Sequence, residues 1–251
     1  MTSRKFASGV SRTAGLGALA LAAALGAASA ACGSSTTSFP SGLEPWETPN
    51  QAVAPAATAT DAYPEFLGFV NLHWTDPASA ASIVSVHARG YLQVPITAAF
   101  RAARDPQTGF DPTQSDGFTV TAYDIEPAYR WTFRTHVTVH AFAVVDWFVD
   151  WRHGVVEGTE AAPLVTASRW QKTSGNAGIS VLEGSLVLRA VEGHPGVTAV
   201  EYQYHLSAPL SSHSTVHNFL TSVFGRLRDA AHGRTLSPIV CMDCVTPPAG
   251  Y

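Results

Sequence analysis

The chain has 251 residues, of which 46% are hydrophobic and 14% are charged, against roughly 25% charged residues in an average soluble domain. This composition excludes a disordered charged tail protein. Only Lys5 and Lys172 are lysines and there is no basic run, which argues against a nucleic-acid-binding surface. The length is enough for one sizeable domain and an accessory segment.

Residues 1–31 have the pattern of a signal peptide. Arg4, Lys5 and Arg12 precede an uncharged Ala/Leu/Gly run of 15 residues over 14–28, which is shorter than the roughly 20 apolar residues that cross a bilayer. Without this segment 12 basic and 19 acidic residues remain, a net charge of −7. We therefore predict an exported, acidic protein.

Two processing sites compete at the end of this segment. Ala28-Ser29-Ala30 fits the small-x-small rule of ordinary signal peptidase. Ser29-Ala30-Ala31-Cys32 is similar to a bacterial lipobox, in which Cys32 is acylated, and the Gly/Ser/Thr-rich residues 33–38 suit a tether. We predict a lipoprotein of the cell envelope, held at the membrane only through Cys32, with a soluble periplasmic or secreted protein as the alternative.

Residues 32–62 are predicted to be a flexible linker, because prolines recur among Ser, Thr and Ala without a periodic pattern. Trp46 is a large apolar residue there and is a candidate for docking onto the domain, which is predicted over 63–238. The tail 239–251 contains Cys241-Met-Asp-Cys244. No helix follows it and no second C-x-x-C exists, so a disulfide between Cys241 and Cys244 is predicted rather than a redox couple or a zinc site.

The domain begins with a strand over 84–94 and a short helix over 96–104 that ends at Asp105-Pro106. Further strands are predicted over 118–125, over 130–153 with a break near 141–145, over 164–172, and as a hairpin over 179–190 and 198–207. After Pro209 the hydrophobic period changes to about 3.6, which predicts an amphipathic C-terminal helix capped by Ser211 or Ser212 and ended by Gly233. The predicted fold is α+β, a curved antiparallel sheet that grips a long C-terminal helix.

Three segments carry a resemblance to a known family. Residues 90–106 (GYLQVPITAAFRAARDP) look like a first strand and a short helix with an Asp-Pro ending, while residues 183–188 and 196–208 look like a last hairpin before the closing helix. Over about residues 82–233 this order resembles the START-like superfamily, also called the polyketide-cyclase or Bet v 1-like helix-grip fold. The resemblance implies a tunnel between sheet and helix for lipids, sterols or aromatic molecules, with catalysis in some members only.

Aromatic rings are the strongest candidates for a ligand site. Four rings in the 130–153 stretch share odd-numbered positions, so they lie on one face of the predicted strands, and two tyrosines of the hairpin can join them. These rings either line a pocket for a flat or lipidic ligand or fill the core. The six candidate ligand-binding residues are Trp131, Phe133, Trp147, Trp151, Tyr202 and Tyr204.

Catalytic and metal-binding candidates are weaker. Asp146 and Asp150 lie about 13 Å apart on a strand, too far for a glycosidase pair, and the spacing of His136 and His140 prevents a shared metal. His213 and His217 could share a metal on a helix, but no third ligand is suggested. A lone buried histidine, such as His87 or His205, is typical of hydrogen-bonded structure. We predict no catalytic residue, metal or cofactor.

Three functions remain open from the sequence. The favoured one is a monomeric, non-catalytic protein that binds a hydrophobic small molecule or lipid, with no nucleic-acid partner. The first alternative is a cyclase- or hydratase-like enzyme that uses a His or Asp in the cavity as a general base. The second is an envelope protein with a solid core and no ligand.

Overall fold

The computed structural model describes residues 37–75, 82–113, 115–140, 144–176, 178–237, 239 and 243–251. The predicted signal peptide, Cys32 and Cys241 lie outside these ranges. Export, lipidation and the disulfide therefore stay predictions. Within the described ranges, no helix is both long and apolar enough to span a membrane.

The eight strands of the described residues belong to one antiparallel sheet, in the order β1-β2-β8-β7-β6-β5-β4-β3. After β2 the chain crosses to the opposite edge of the sheet and then returns strand by strand to pair β8 with β2. The strands are β1 Gly68–Thr75, β2 Ser82–Leu92, β3 Gly117–Tyr123, β4 Trp131–His140, β5 Val144–Gly158, β6 Pro163–Gly175, β7 Val181–Val191 and β8 His194–Ser207.

Two helices cover one face of this sheet. Helix α1 (Ile96–Ala103) and a short 3₁₀ helix (Pro106–Gly109) make the crossover from β2 to β3, and helix α2 (His213–Ala231) follows β8. The Ser212 side chain accepts a hydrogen bond from the backbone N–H of Thr215, which caps α2 as the sequence predicts. The predicted sheet with a C-terminal helix is confirmed.

The helix-facing core consists of alternate residues from each strand. Even-numbered residues of β2, β6, β7 and β8 and odd-numbered residues of β4 and β5 share this face, as the register of the strands requires. They pack against the apolar side of α2, formed by Val216, Leu220, Val223, Phe224 and Leu227. The hydrophobic period of 3.6 residues therefore predicted the buried side of α2 correctly.

The structure differs from the predicted elements at two places. Strand β1 was not predicted, although Val70, Leu72 and Trp74 alternate with polar residues, which is the pattern of a half-buried edge strand. The β7–β8 connection is also tighter than predicted, because β8 already starts at His194. Gly193 allows this tight turn with a φ of 74°.

The opposite face of the sheet is covered by residues 37–66, which we call the strap. Trp46 donates a hydrogen bond from Nε1 to the carbonyl of Gly184 at 3.0 Å, and its ring lies 3.6 Å from the guanidinium carbon of Arg169. Whereas the sequence predicts a flexible linker through residue 62, the described part of this segment is packed on the sheet. The physical reason is that the odd-numbered face of β7 and β8 presents buried polar groups that need partners.

Glu47 is the main polar anchor of the strap. Its carboxylate lies 2.6 Å from His205 Nε2 and 3.1 Å from His87 Nε2, and it accepts a hydrogen bond from Ser85 Oγ at 3.1 Å. His205 Nδ1 lies 2.9 Å from the Glu183 carboxylate. The two histidines are therefore hydrogen-bonded structural groups under the strap.

The packing at Gly184 gives a stability prediction. A Cβ at this position would lie 2.2 Å from Trp170 Cζ2 and 2.7 Å from the carbonyl oxygen of Gln203, so the indole would have to move. We expect Gly184→Ala to lower the free energy of unfolding by about 1–3 kcal/mol, measured by urea denaturation. Gly196→Ala is the control, since a Cβ there meets nothing within 4 Å. Equal effects of the two changes would contradict this packing.

Candidate functional site

A cavity of about 660 Å³ lies at the end of the sheet near β3. It is partly open to solvent and is bordered by α1 and the 3₁₀ helix, by β3, by the C-terminal end of α2 and by the tail residues 244–251. The residues that line it are Ala98, Arg101, Ala102, Arg104, Asp105, Pro106, Gln107, Phe118, Val120, Tyr123, Ala230, Ala231, Gly233, Cys244, Val245, Pro247, Pro248, Gly250 and Tyr251.

The tail is held in place at the outer edge of the sheet. Val245 donates its backbone N–H to the carbonyl of Val120 at 2.9 Å, and Val120 donates to Cys244 Sγ at 3.0 Å. Because β3 is an edge strand, these bonds use backbone groups that would otherwise lack a partner strand. The tail thus closes the side of the cavity that the sheet leaves open.

Most of the cavity wall is apolar or uncharged. Among the lining side chains only those of Arg101, Arg104 and Asp105 carry a charge. Asp105 caps the 3₁₀ helix by accepting a hydrogen bond from the backbone N–H of Gln107 at 2.9 Å. The single acidic group of the wall therefore already has a structural role.

Arg104 is the distinctive polar group of the wall. Its guanidinium carbon lies 4.3 Å from the centre of the Trp131 ring and 5.0 Å from that of Phe100. Its Nε is buried without a hydrogen-bond partner, and its side chain forms no ion pair within the described part of the chain. Burial lowers the pKa of Arg104 from its ordinary value, the interaction with Tyr251 opposes this shift, and the charges of Arg101 and Arg130 act in the same direction as burial.

Tyr251 forms another part of the wall. Its ring packs edge-to-face on Tyr123 at 4.7 Å between centres and lies 6.3 Å from Phe133. Its hydroxyl is buried without a partner in the described ranges, and burial raises the pKa of that hydroxyl. The phenol is therefore a protonated hydrogen-bond donor at neutral pH.

Behind this wall lies a fully buried histidine. His153 Nδ1 is 2.7 Å from Ser168 Oγ, while Nε2 has no partner among the described residues. Its ring stacks on Phe133 at 5.4 Å. Desolvation, with a smaller effect of the Arg104 charge, lowers the pKa of His153 to about 3, so the imidazole is neutral at physiological pH.

The six predicted ring residues are all on the helix-facing side of the sheet, but none of them lines this cavity. Phe133 stacks on Trp151 at 5.5 Å, and Trp131 packs against Phe100 of α1. Tyr204 lies 5.0 Å from Phe219 of α2, so it fills the space between sheet and helix. Trp147 and Tyr202 belong to the same core. The rings lie behind the cavity wall, and a direct role of these six in binding stays a prediction.

The other polar candidates of the sequence are paired with neighbouring groups. His213 and His217 contact β1, through the carbonyl of Leu72 at 2.8 Å and Asn71 Oδ1 at 2.7 Å. Asp150 binds Arg134 at 2.6 Å, and Asp146 lies 3.3 Å from His136. The described ranges contain no group of three or more residues arranged to hold a metal ion.

A second cavity, also of about 660 Å³, lies between residues 60–63 and the β7–β8 turn. Its acidic group, Asp61, accepts hydrogen bonds from Gln93 Nε2 at 3.1 Å, and Tyr63 packs on Tyr91 and His194. These groups tie the strap to the sheet. The cavity at Arg104 is the better candidate site because two of its lining groups, Arg104 Nε and the Tyr251 hydroxyl, lack protein partners in the described structure.

Sequence reasoning did not select Arg104, Tyr123 or Tyr251 as site residues. Arg104 directly precedes the Asp-Pro that ends α1, and Tyr251 is the one ring in the predicted tail. A large ring in a proline-rich tail was a usable sign that the tail docks on the domain. The convergence of these three residues depends on the crossover from β2 to β3, which no local pattern reveals.

The chain matches no protein-family profile and no curated protein. Among solved structures it is similar to the human StarD13 lipid transfer and protein localization domain (10% identity, 65% of this chain and 88% of that one, TM-score 0.43). It is also similar to the aromatase/cyclase StfQ of the steffimycin biosynthetic pathway (13%, 58% and 44%, 0.39) and to Ara h 8.0201 (12%, 61% and 99%, 0.39). These likenesses concern the fold, and the function is argued from the cavity.

Proposed function

We propose that this protein binds a hydrophobic small molecule or lipid in the cavity at Arg104. The observation that carries the proposal is a partly open cavity of about 660 Å³ with mainly apolar walls, in the middle of the roughly 300–1,000 Å³ that small-molecule sites occupy. The wall combines apolar side chains with very few polar groups, which is the usual composition of such sites.

The cellular setting is proposed from the sequence. The basic start, the apolar run and the cysteine at position 32 support an exported lipoprotein of the cell envelope, with secretion as the alternative. A carrier tethered near a membrane would exchange a hydrophobic ligand with it. We propose that the protein works as a monomer, and its measured mass would test this.

The enzyme alternative has less support. An efficient general base has a pKa near the working pH, whereas burial holds the pKa of His153 at about 3. Asp105 is committed to the backbone N–H of Gln107. The groups near the cavity are suited to holding a ligand rather than to moving a proton at neutral pH.

Native mass spectrometry of the full-length chain, purified without detergent and incubated with mixed bacterial lipids, tests the proposal. We expect a reproducible adduct that denaturation releases. Ala98→Phe, which fills the cavity from α1, is expected to abolish this adduct, because Ala98 lines the space. Thr97→Phe is the control, since Thr97 is exposed on the same helix and does not line the cavity.

An adduct of unchanged occupancy in Ala98→Phe would place the ligand elsewhere and contradict the assignment. No adduct in either protein after incubation would contradict ligand binding. Circular dichroism of each variant confirms that the fold is retained, so that loss of the adduct reports on the cavity.

A further inference from the structure

Three unpartnered polar groups at the cavity wall share one chemical property. Arg104 and Tyr251 line the cavity and carry a guanidinium and a phenol, and Trp131, whose ring centre lies 4.3 Å from the Arg104 guanidinium carbon, has an indole N–H behind the wall. All three are hydrogen-bond donors. The atoms Arg104 Nε, Tyr251 Oη and Trp131 Nε1 are each buried and lack an acceptor in the described part of the protein.

Unsatisfied donors of this kind are costly. A buried polar group without a partner costs roughly 1–3 kcal/mol, and a charged group costs more. Most polar groups in folded proteins therefore find a partner, and a cluster of exceptions indicates a ligand. The complement of a cation and neighbouring neutral donors is a compact anion with at least two acceptor oxygens.

The side chains of the wall offer no such anion. The one side-chain carboxylate, that of Asp105, is not within ion-pair distance of Arg104 and binds the backbone N–H of Gln107 instead. Arg130 shows the contrast, because it packs over the same Trp131 ring at 5.0 Å and is paired with Glu160. Of the two arginines that pack on the Trp131 ring, Arg104 at the cavity has no ion-pair partner in the described structure.

We propose that the ligand is an anionic amphiphile, whose carboxylate or phosphate head binds Arg104 and Tyr251 while its apolar body fills the cavity. This inference rests on the proposed function, since it names the chemical class of the same ligand. The head lies next to Trp131, and the body extends along the alanines of α1 and α2 toward Phe118.

Fluorescent fatty-acid probes test the head group. We expect the full-length protein to bind cis-parinaric acid at least about tenfold more tightly than its methyl ester, because a charge-assisted hydrogen bond is lost in the ester. Arg104→Gln is expected to remove this preference by weakening acid binding to about the level of the ester. Arg130→Gln, the matched control on the other side of Trp131, is expected to keep it. Tyr251→Phe is expected to weaken acid binding severalfold.

Competition separates the two sources of the anion. Dodecyl phosphate displacing the acid more strongly than dodecanoate assigns a phosphate head, and the reverse order assigns a carboxylate. Displacement of the fluorescent acid by inorganic phosphate alone, at the same concentration, would contradict the proposal that the ligand is an amphiphile. Equal binding of acid and ester would overturn the anionic head while the proposed function stands. Failure of both probes to bind, together with no lipid adduct, would overturn the proposed function itself.

Discussion

Glu47→Ala is expected to lower the free energy of unfolding by about 2–4 kcal/mol, because it removes the acceptor that joins the strap to the sheet. The carboxylate contacts the buried imidazoles of His87 and His205 and the hydroxyl of Ser85. His87 and His205 have side chains only 0% and 2% exposed, so water cannot readily replace the lost partner. Chemical denaturation at neutral pH measures the loss.

Glu44→Ala is the matched control for this change. Glu44 lies in the same strap, but its side chain is 46% exposed and its ion pair with Arg169 is long, at 3.4 Å. Exposed pairs of this kind contribute roughly 0–1 kcal/mol. Hydrogen exchange of the strap amides should also increase in Glu47→Ala. Equal destabilisation by the two alanines would contradict the anchoring role of Glu47.

The sheet and its closing helix could be predicted because their signals are local. Alternation in β2 and β8 and the 3.6-residue period of α2 each report which side of one element is buried. The odd-numbered positions of Trp131, Phe133 and Trp151 also predict that these rings share one face of the sheet. In the structure Trp131 pairs with His153, and Phe133 pairs with Trp151, across β4 and β5.

The strap and the cavity could not be predicted in the same way. Residues 37–66 have no periodic pattern, because they are held by single hydrogen bonds from Trp46, Glu47 and Asn50 to the sheet rather than by a repeating ladder. The cavity joins Arg104 to Tyr251, which are far apart in sequence. The contact between these two distant segments depends on the order of the strands in the sheet. That order cannot be read from the local patterns of a single sequence.

His153 supplies the second large effect, a loss of stability in acid. Because burial lowers the pKa of His153 from 6.5 to about 3, the unfolded chain takes up a proton at this residue below about pH 6.5 and the folded chain does not. Its contribution to stability is therefore complete above pH 6.5 and is lost progressively as the pH falls toward 3. Between pH 6 and 4 the expected loss from this group is about 1.4 kcal/mol per pH unit.

The variant His153→Phe isolates this contribution. Burial also lowers the pKa of His87, so the wild-type slope contains more than one group, and the difference between wild type and variant reports His153 alone. We expect the stability advantage of the wild type over His153→Phe to shrink by about 1.4 kcal/mol per pH unit from pH 6 to 4. His140→Gln, at a side chain that is 63% exposed, is the control for replacing a histidine at the surface. Parallel curves of stability against pH for all three proteins would mean that His153 gains its proton as readily in the folded chain as in the unfolded chain. The description of His153 as a buried, neutral imidazole behind the cavity wall would then be wrong.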